Sequence, residues 1–349
     1  MSVIEEGGVY DYEWVKANFN GTIYFQEVTN YWRLITTTCV GTIATVANLL
    51  LLFIIVFIVD IRKKPSMVLV ANITIADLLM VLCRSVYIVL FYTNVGQTRD
   101  HTEFFCKFSS GTYILALTCS SYTLASLAVT RYQGIVRPFG KLSRRPQTFR
   151  HIVITSGVIW IFSILLSIPQ YILAKNNEDI ESDTHQCQYL PHYTAVAISH
   201  EILFIVLAYL VPLTIIGFCY GSMSHYLRKA SRELCEMDKH STNVTTIITR
   251  RCRLAKSFIC IAVVFGFMYL PSMIYRILVQ FEVVTQNTAL YFNGIANIMC
   301  YTNTCVNPAM FCFFTKKIRQ GFIDIFFCRW GKIKLSRINS TTSRTTNRT

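Results

Sequence analysis

Residues 34–59 read LITTTCVGTIATVANLLLLFIIVFIV, without a charged side chain anywhere in the run. A helix that crosses a bilayer needs roughly 20 mostly apolar residues, and this stretch exceeds that. It is longer than a barrel strand and does not alternate with period two, so a helix is what satisfies its backbone in lipid. Six further stretches repeat the pattern. Residues 65–83 carry only Asp77, and apolar residues continue past Arg84 to Tyr92. Residues 108–130, 152–174, 257–275 and 283–315 are uncharged, the last long enough for a span and a turn, while 202–227 hold one histidine. The sequence predicts an all-α membrane protein, a seven-transmembrane helix bundle. The connections are short, which leaves no room for a second soluble domain.

Composition agrees. The 349 residues are 53% hydrophobic and 15% charged, against roughly 25% charged in a soluble domain. The net charge of +14 would suit nucleic acid, but the charges sit between long apolar runs instead of on one soluble face, so no nucleic-acid partner is expected. Segments 60–65, 131–151, 228–256 and 316–349 together hold 26 basic and 5 acidic residues; the rest of the chain holds 7 and 14. By the positive-inside rule these segments face the cytosol, which puts the C-terminus inside and, after seven crossings, the N-terminus outside. The expected division is an extracellular tail 1–31, the bundle 32–315, a membrane-surface helix 316–328 and a cytoplasmic tail 329–349.

The first 30 residues lack the basic and apolar regions of a cleavable signal peptide, so the first span is expected to act as a signal anchor. Asn20-Gly21-Thr22 is a glycosylation sequon on the outer side. The sequons at Asn72, Asn243 and Asn339 fall in a span or inside. Residues Lys316–Phe327 are amphipathic and read as a helix on the inner leaflet, with Cys328 behind it a palmitoylation candidate. Of 13 cysteines, Cys106 and Cys187 alone are placed at the oxidising face, so they form the expected disulfide.

Polar groups within spans are costly and are functional candidates by default. Asp77 is the only acid in the middle of a span. Asn48, Ser120, Asn303 and Asn307 lie at similar depth, a set able to hydrogen-bond around one carboxylate and hold a sodium ion; otherwise it forms a packing network. No other metal or cofactor is expected. Arg131 ends the third span at the inner face. Pro169, Pro212, Pro271 and Pro308 each remove a backbone bond and kink a helix, which suits a bundle with two packings.

One landmark per helix carries a resemblance. Asn48 lies in Val46-Ala47-Asn48-Leu49-Leu50, and Asp77 closes Ala71-Asn72-Ile73-Thr74-Ile75-Ala76-Asp77. Cys106 precedes Arg131-Tyr132 by 25 residues. Trp160 marks the fourth helix, and Pro212 and Tyr220 the fifth. Phe265-Gly266-Phe267-Met268-Tyr269-Leu270-Pro271 marks the sixth and Asn307-Pro308-Ala309-Met310-Phe311 the seventh. In this order, from about Trp32 to Cys328, the chain resembles the rhodopsin-like (class A) G-protein-coupled receptors. Ser120–Phe139, Ser163–Pro169 and Arg250-Arg251-Cys252-Arg253 resemble neuropeptide receptors, somewhat like the prokineticin and neuropeptide Y groups. The resemblance implies a plasma-membrane receptor coupled to a heterotrimeric G protein, with arrestin and a receptor kinase as further partners. It assigns activation to Thr130, Arg131, Tyr132, Tyr220, Phe265, Tyr269, Pro271, Asn307, Pro308 and Phe311.

Four residues depart from the family pattern. Thr130 replaces the acid before the arginine, Tyr269 a tryptophan, Met268 a cysteine and Phe311 a tyrosine. The lost acid removes a resting-state partner of Arg131, and the lost hydroxyl a water-mediated link to Tyr220.

Tyr113 stands where amine receptors carry aspartate, and Tyr301 where opsins carry lysine, so neither an amine nor retinal is expected. Arg84, Tyr87, Tyr113, Glu201, Arg276, Gln280 and Asn293 line the outer third. They suit a peptide terminus better than a lipid tail, and Arg84 and Arg276 can receive a carboxylate or an amide carbonyl. The outer side is acidic at Glu178, Asp179, Glu181 and Asp183, which would steer a basic peptide. A receptor for a lipid or other small molecule is the alternative within the class. A seven-pass transporter would need an inverted repeat and more mid-span acids. An enzyme would need a motif such as HExxH or GxSxG, and the chain has neither.

Overall fold

The computed structural model describes residues 12–59, 64–93, 99–136, 148–179, 184–188, 195–236, 242–281, 283 and 286–327. The helices are α1 (Tyr12–Phe57), α2 (Ser66–Thr93), α3 (Arg99–Val136), α4 (Phe149–Leu173), α5 (Ala195–Phe204), α6 (Val211–Glu236), α7 (Thr242–Gln280), α8 (Gln286–Phe314) and α9 (Lys316–Phe326). A π-helical stretch, Ile205–Leu210, joins α5 to α6, so these three segments make the fifth span. Its cause lies just beyond it: Pro212 has no N–H to return to the preceding turn, and the chain widens ahead of it, with the Val211 N–H bonding five residues back to the Val206 carbonyl. The sixth span is α7 and the seventh α8.

Among the described residues, six helical spans are long and apolar enough to cross a membrane. The seventh, α8, falls short in hydropathy because it carries Asn293, Asn297, Asn303 and Asn307. Asn303 and Asn307 are buried, and α8 packs against α1, α2 and α7, so its polarity faces the bundle. α3 is the central element, touching α2, α4, the π-helical stretch, α6 and α7. One core runs through Leu51, Ile54, Ile73, Leu117, Leu127, Phe204, Met223, Phe265 and Phe311. The lipid face is equally apolar, as in the exposed row Val158, Ile161, Leu165 and Ile172 on α4.

Many span hydroxyls bond within their own helix. Thr38, Thr74, Thr118 and Ser163 each donate to the carbonyl four residues back. They satisfy themselves locally, and the polar groups that reach across helices stand out against them.

Two findings add to the sequence reading. A two-stranded antiparallel hairpin, β1 (Lys175–Asp179) and β2 (Thr184–Gln188), follows α4 and leans on α3. Its strands are polar and do not alternate, so no periodicity announced them. α1 begins at Tyr12, well inside the segment expected as a tail. The short helix expected after the seventh span is α9. Ile318 is fully buried beneath it, and Phe326 and Phe327 are exposed. A Cβ on Gly321 would lie 2.8 Å from Ile54 Cγ2, so glycine lets α9 lie directly on α1.

Candidate functional site

Three polar layers are stacked along α3. The outermost centres on Tyr113. Its hydroxyl shares a 2.7 Å hydrogen bond with Ser272 Oγ on α7 and lies 3.8 Å from Cys300 Sγ on α8. Two guanidinium groups lean on the same ring: Arg84 with its ζ carbon 5.9 Å from the centroid, and Arg276 at 5.5 Å. Arg276 is also 4.8 Å from the Phe204 ring. Its Nη1 donates to both Glu201 oxygens, at 2.7 and 2.9 Å. Arg84 Nη2 donates to Asn297 Oδ1 at 2.9 Å, and Asn297 Nδ2 to Asn293 Oδ1 at 2.8 Å. Gln280, one turn beyond Arg276, is buried, and its Nε2 has no hydrogen-bond partner among the described residues. Tyr87 lies half-buried one turn beyond Arg84.

All seven residues expected to line the outer third therefore lie at this end of the bundle. Arg276, expected to receive a ligand acceptor, already holds Glu201. Sequence reasoning missed Asn297, Phe204, Ser272 and Cys300, although the first three stand one helical turn from Asn293, Glu201 and Arg276.

The middle layer surrounds Asp77, which is 1% exposed. Asn307 Nδ2 donates to its Oδ2 at 2.8 Å, and the Ser120 hydroxyl to Oδ1 at a longer 3.4 Å. Asn48 turns its amide to the carbonyls of Ala44 and Thr304, each at 2.9 Å. Its buried Oδ1 has no hydrogen-bond partner among the described residues. One carboxylate, a hydroxyl and an amide oxygen short of a donor are hard oxygen ligands that fit sodium. Tyr269 is fully buried beside Phe265, ring centroids 4.8 Å apart, and its hydroxyl donates to Met80 Sδ.

A neighbouring knot centres on Asn72, which the sequence offers only as part of a landmark. Trp160 Nε1 donates to Asn72 Oδ1 at 2.6 Å, and Asn72 Nδ2 to Thr123 Oγ1 at 2.7 Å. Asn72 thus joins α2, α4 and α3. It is buried, so its sequon has no access to a glycan.

The inner layer holds Arg131 and Tyr220. Thr130 bonds its own helix at the Ser126 carbonyl, 2.8 Å away. Arg131 Nη2 reaches Ser66 Oγ on α2 at 3.5 Å. Tyr132 packs on Phe218 of α6, centroids 6.1 Å apart. Tyr220, Phe311 and Pro308 are buried and Pro271 is half-buried.

Cys106 is buried and disulfide-bonded. Cys187 stands opposite Asn176 in the hairpin, with its side chain outside what the structure describes. The Asn20 side chain and Cys328 also lie outside the described residues.

Comparison with known proteins identifies the family of the chain. A family model described as the 7 transmembrane receptor (rhodopsin family) matches residues 47–311. Galanin receptor type 1 of Rattus norvegicus is 25% identical over 277 residues, 77% of this chain and 75% of that one. Neuropeptide Y receptor type 6 of Mus musculus is 26% identical over 288 residues, 77% and 73% of the two chains. C-C chemokine receptor type 6 of Mus musculus is 23% identical over 326 residues, 89% and 83%.

Proposed function

Because the chain belongs to the rhodopsin family of seven-transmembrane receptors, we propose that it is the receptor for an extracellular peptide and activates a heterotrimeric G protein. The observation that carries this reading is the buried cluster of Arg84, Tyr113, Glu201 and Arg276 beside the first half of α3, with Arg131 near the far end of the same helix. Eighteen residues separate Tyr113 from Arg131, about 27 Å of helix. A polar, charged cluster answers the backbone and termini of a peptide better than a lipid chain. The names of the similar receptors, for galanin and neuropeptide Y, support a peptide.

A peptide contacting α2, α3, α5 and α7 shifts the bundle between two packings by its differential affinity for them. The Pro271 and Pro308 kinks supply hinges, and Arg131 meets the G protein when the inner ends part. Arrestin and a receptor kinase act on the same inner face. The receptor resides in the plasma membrane with its N-terminus outside, where acidic residues favour a basic peptide. Cys106 pairs with Cys187, Asn20 carries a glycan and Cys328 a palmitoyl chain. Asp77 and Ser120, with the Asn48 oxygen, would hold a sodium ion. That ion would supply a positive charge to balance the carboxylate in the resting packing.

Calcium and cyclic-AMP responses of cells expressing the receptor, challenged with a peptide library rich in basic sequences, test the reading. A saturable response to a peptide is expected. A response to lipids, with none to any peptide, would move the function to the small-molecule alternative.

A further inference from the structure

Three cations from three different elements converge at the inner end of the bundle. Lys64 precedes α2, and its carbonyl accepts from the Met67 N–H at 2.9 Å. Arg131 reaches the same corner from α3, with Nη2 3.5 Å from Ser66 Oγ, two residues beyond Lys64. Lys317 stands in the first turn of α9, the helix that Gly321 lets lie on Ile54 and Ile58 of the first span. Burial, and then the charges of Lys317 and Arg131, hold the Lys64 ammonium below the usual lysine value. The charges acting on Lys64 are therefore both positive. Lys64 and Lys317 are exposed, and Arg131 is part-buried beside them. Arg131 belongs to the central helix, so the corner turns toward the bundle axis and away from the surrounding lipid.

The sequence beyond α9 carries a complementary charge only after modification. Residues 329–349 hold six basic residues and no acid, so the unmodified segment is repelled by this corner. Within it, Ser340-Thr341-Thr342-Ser343-Arg344-Thr345-Thr346 offers six hydroxyls in seven residues. A phosphate on any of them carries a charge of about −1.5 to −2 and three acceptor oxygens, so two of them reverse the sign of the run. Thirteen residues lead from Phe327 to Ser340 and span up to about 43 Å. Lys317 lies nine residues before the end of α9, about 14 Å back along the helix.

We propose that the run Ser340–Thr346, once phosphorylated, folds back and docks on Lys64 and Lys317, beside Arg131. A kinase transfers the γ-phosphoryl of ATP: the bond to the ADP oxygen breaks, the bond to the serine or threonine oxygen forms, and the hydroxyl proton goes to solvent. Phosphate oxygens make charge-assisted hydrogen bonds to ammonium groups, roughly twice as strong as neutral ones. A segment docked there covers the approach to Arg131 and competes with the G protein. That consequence rests on the proposed function, whereas the docking itself does not.

The test uses the purified full-length chain, dephosphorylated, in nanodiscs of zwitterionic phosphatidylcholine. The probe is a fluorescent peptide of residues 336–349 phosphorylated at Ser340 and Ser343, compared with its unphosphorylated copy by fluorescence anisotropy at fixed ionic strength. The phosphopeptide should bind at least about tenfold more tightly. The double variant Lys64→Gln, Lys317→Gln should lose most of that preference, and Lys64→Arg, Lys317→Arg should restore it. Arg150→Gln, which removes an exposed cation of α4, should leave it unchanged. Both lysines are exposed, so the double variant should unfold at the parental midpoint. Equal affinity for the two peptides, no binding of either, or an undiminished preference in the double variant would overturn the docking. A double variant that keeps the phosphopeptide but loses capture of vesicles containing phosphatidylinositol 4,5-bisphosphate would overturn it in favour of a lipid headgroup. A chain that holds the phosphopeptide through both lysines yet activates no G protein would keep the docking and overturn the proposed function.

Discussion

The Arg276 guanidinium and the Glu201 carboxylate tie the sixth span to the fifth at their outer ends. One nitrogen donates to both oxygens, at 2.7 and 2.9 Å, and the two side chains are 3% and 6% exposed. Breaking such a buried pair from one side costs about 3–5 kcal/mol, because the remaining charge is stranded. Glu201→Gln keeps one acceptor oxygen, so its loss should fall near the lower end, about 3 kcal/mol. Thermal unfolding in detergent should show a drop of several degrees. Arg276→Gln in the same background should add less than it costs alone. Strict additivity would mean the two side chains do not act as a pair.

Asn72 should matter for folding and not for glycosylation. Its two bonds to Trp160 and Thr123 hold three helices, and hydrogen bonds within a membrane average about 0.6 kcal/mol each. Asn72→Ala should therefore cost about 1–2 kcal/mol, visible as a lower unfolding midpoint. Electrophoretic mobility should stay that of the parent, since no glycan is lost. A mobility shift would show that this residue faces the outside.

The spans were legible because each apolar run outlasts the bilayer core. The position of the Asp77 layer was legible because an acid in mid-span has few explanations. Pairings between distant residues were not. Nothing in the sequence joins Glu201 to Arg276 or Arg84 to Asn297, because a helix pattern gives which face is polar but not which neighbour that face meets. The grouping of Asn48 with Asp77 illustrates this: similar depth is readable, yet the Asn48 amide turns to the carbonyls of α1 and α8. The hairpin escaped notice because strands outside lipid need no apolar alternation when a disulfide-bonded helix end lies beside them.

Sodium should stabilise the resting receptor through Asp77. A ligand that binds one packing raises its stability as its concentration passes the dissociation constant. The unfolding midpoint should rise when N-methylglucamine chloride is replaced by sodium chloride at equal ionic strength, and Asp77→Asn should remove the difference. An agonist preferring the other packing should bind more weakly in sodium, by linkage. A midpoint indifferent to the cation in the parent would remove sodium from the account.

Thr130→Asp should lower basal signalling. In the parent the Thr130 hydroxyl bonds the Ser126 carbonyl, and a threonine offers Arg131 no charge. A carboxylate next to the part-buried arginine adds an ion pair worth up to about 1 kcal/mol, enough to shift a balanced equilibrium up to about fivefold. Basal cyclic-AMP or calcium output that stays level or rises at matched expression would discard the restraint.

In the proposed function, α3 joins recognition at Tyr113 to signalling at Arg131. The most direct measurement is the response of Arg131→Ala to the peptide that activates the parent, with surface receptor counted in the same cells. Surface expression should stay largely intact, binding of the peptide should be retained, and signalling should be abolished. Full signalling by Arg131→Ala at parental surface levels would contradict it.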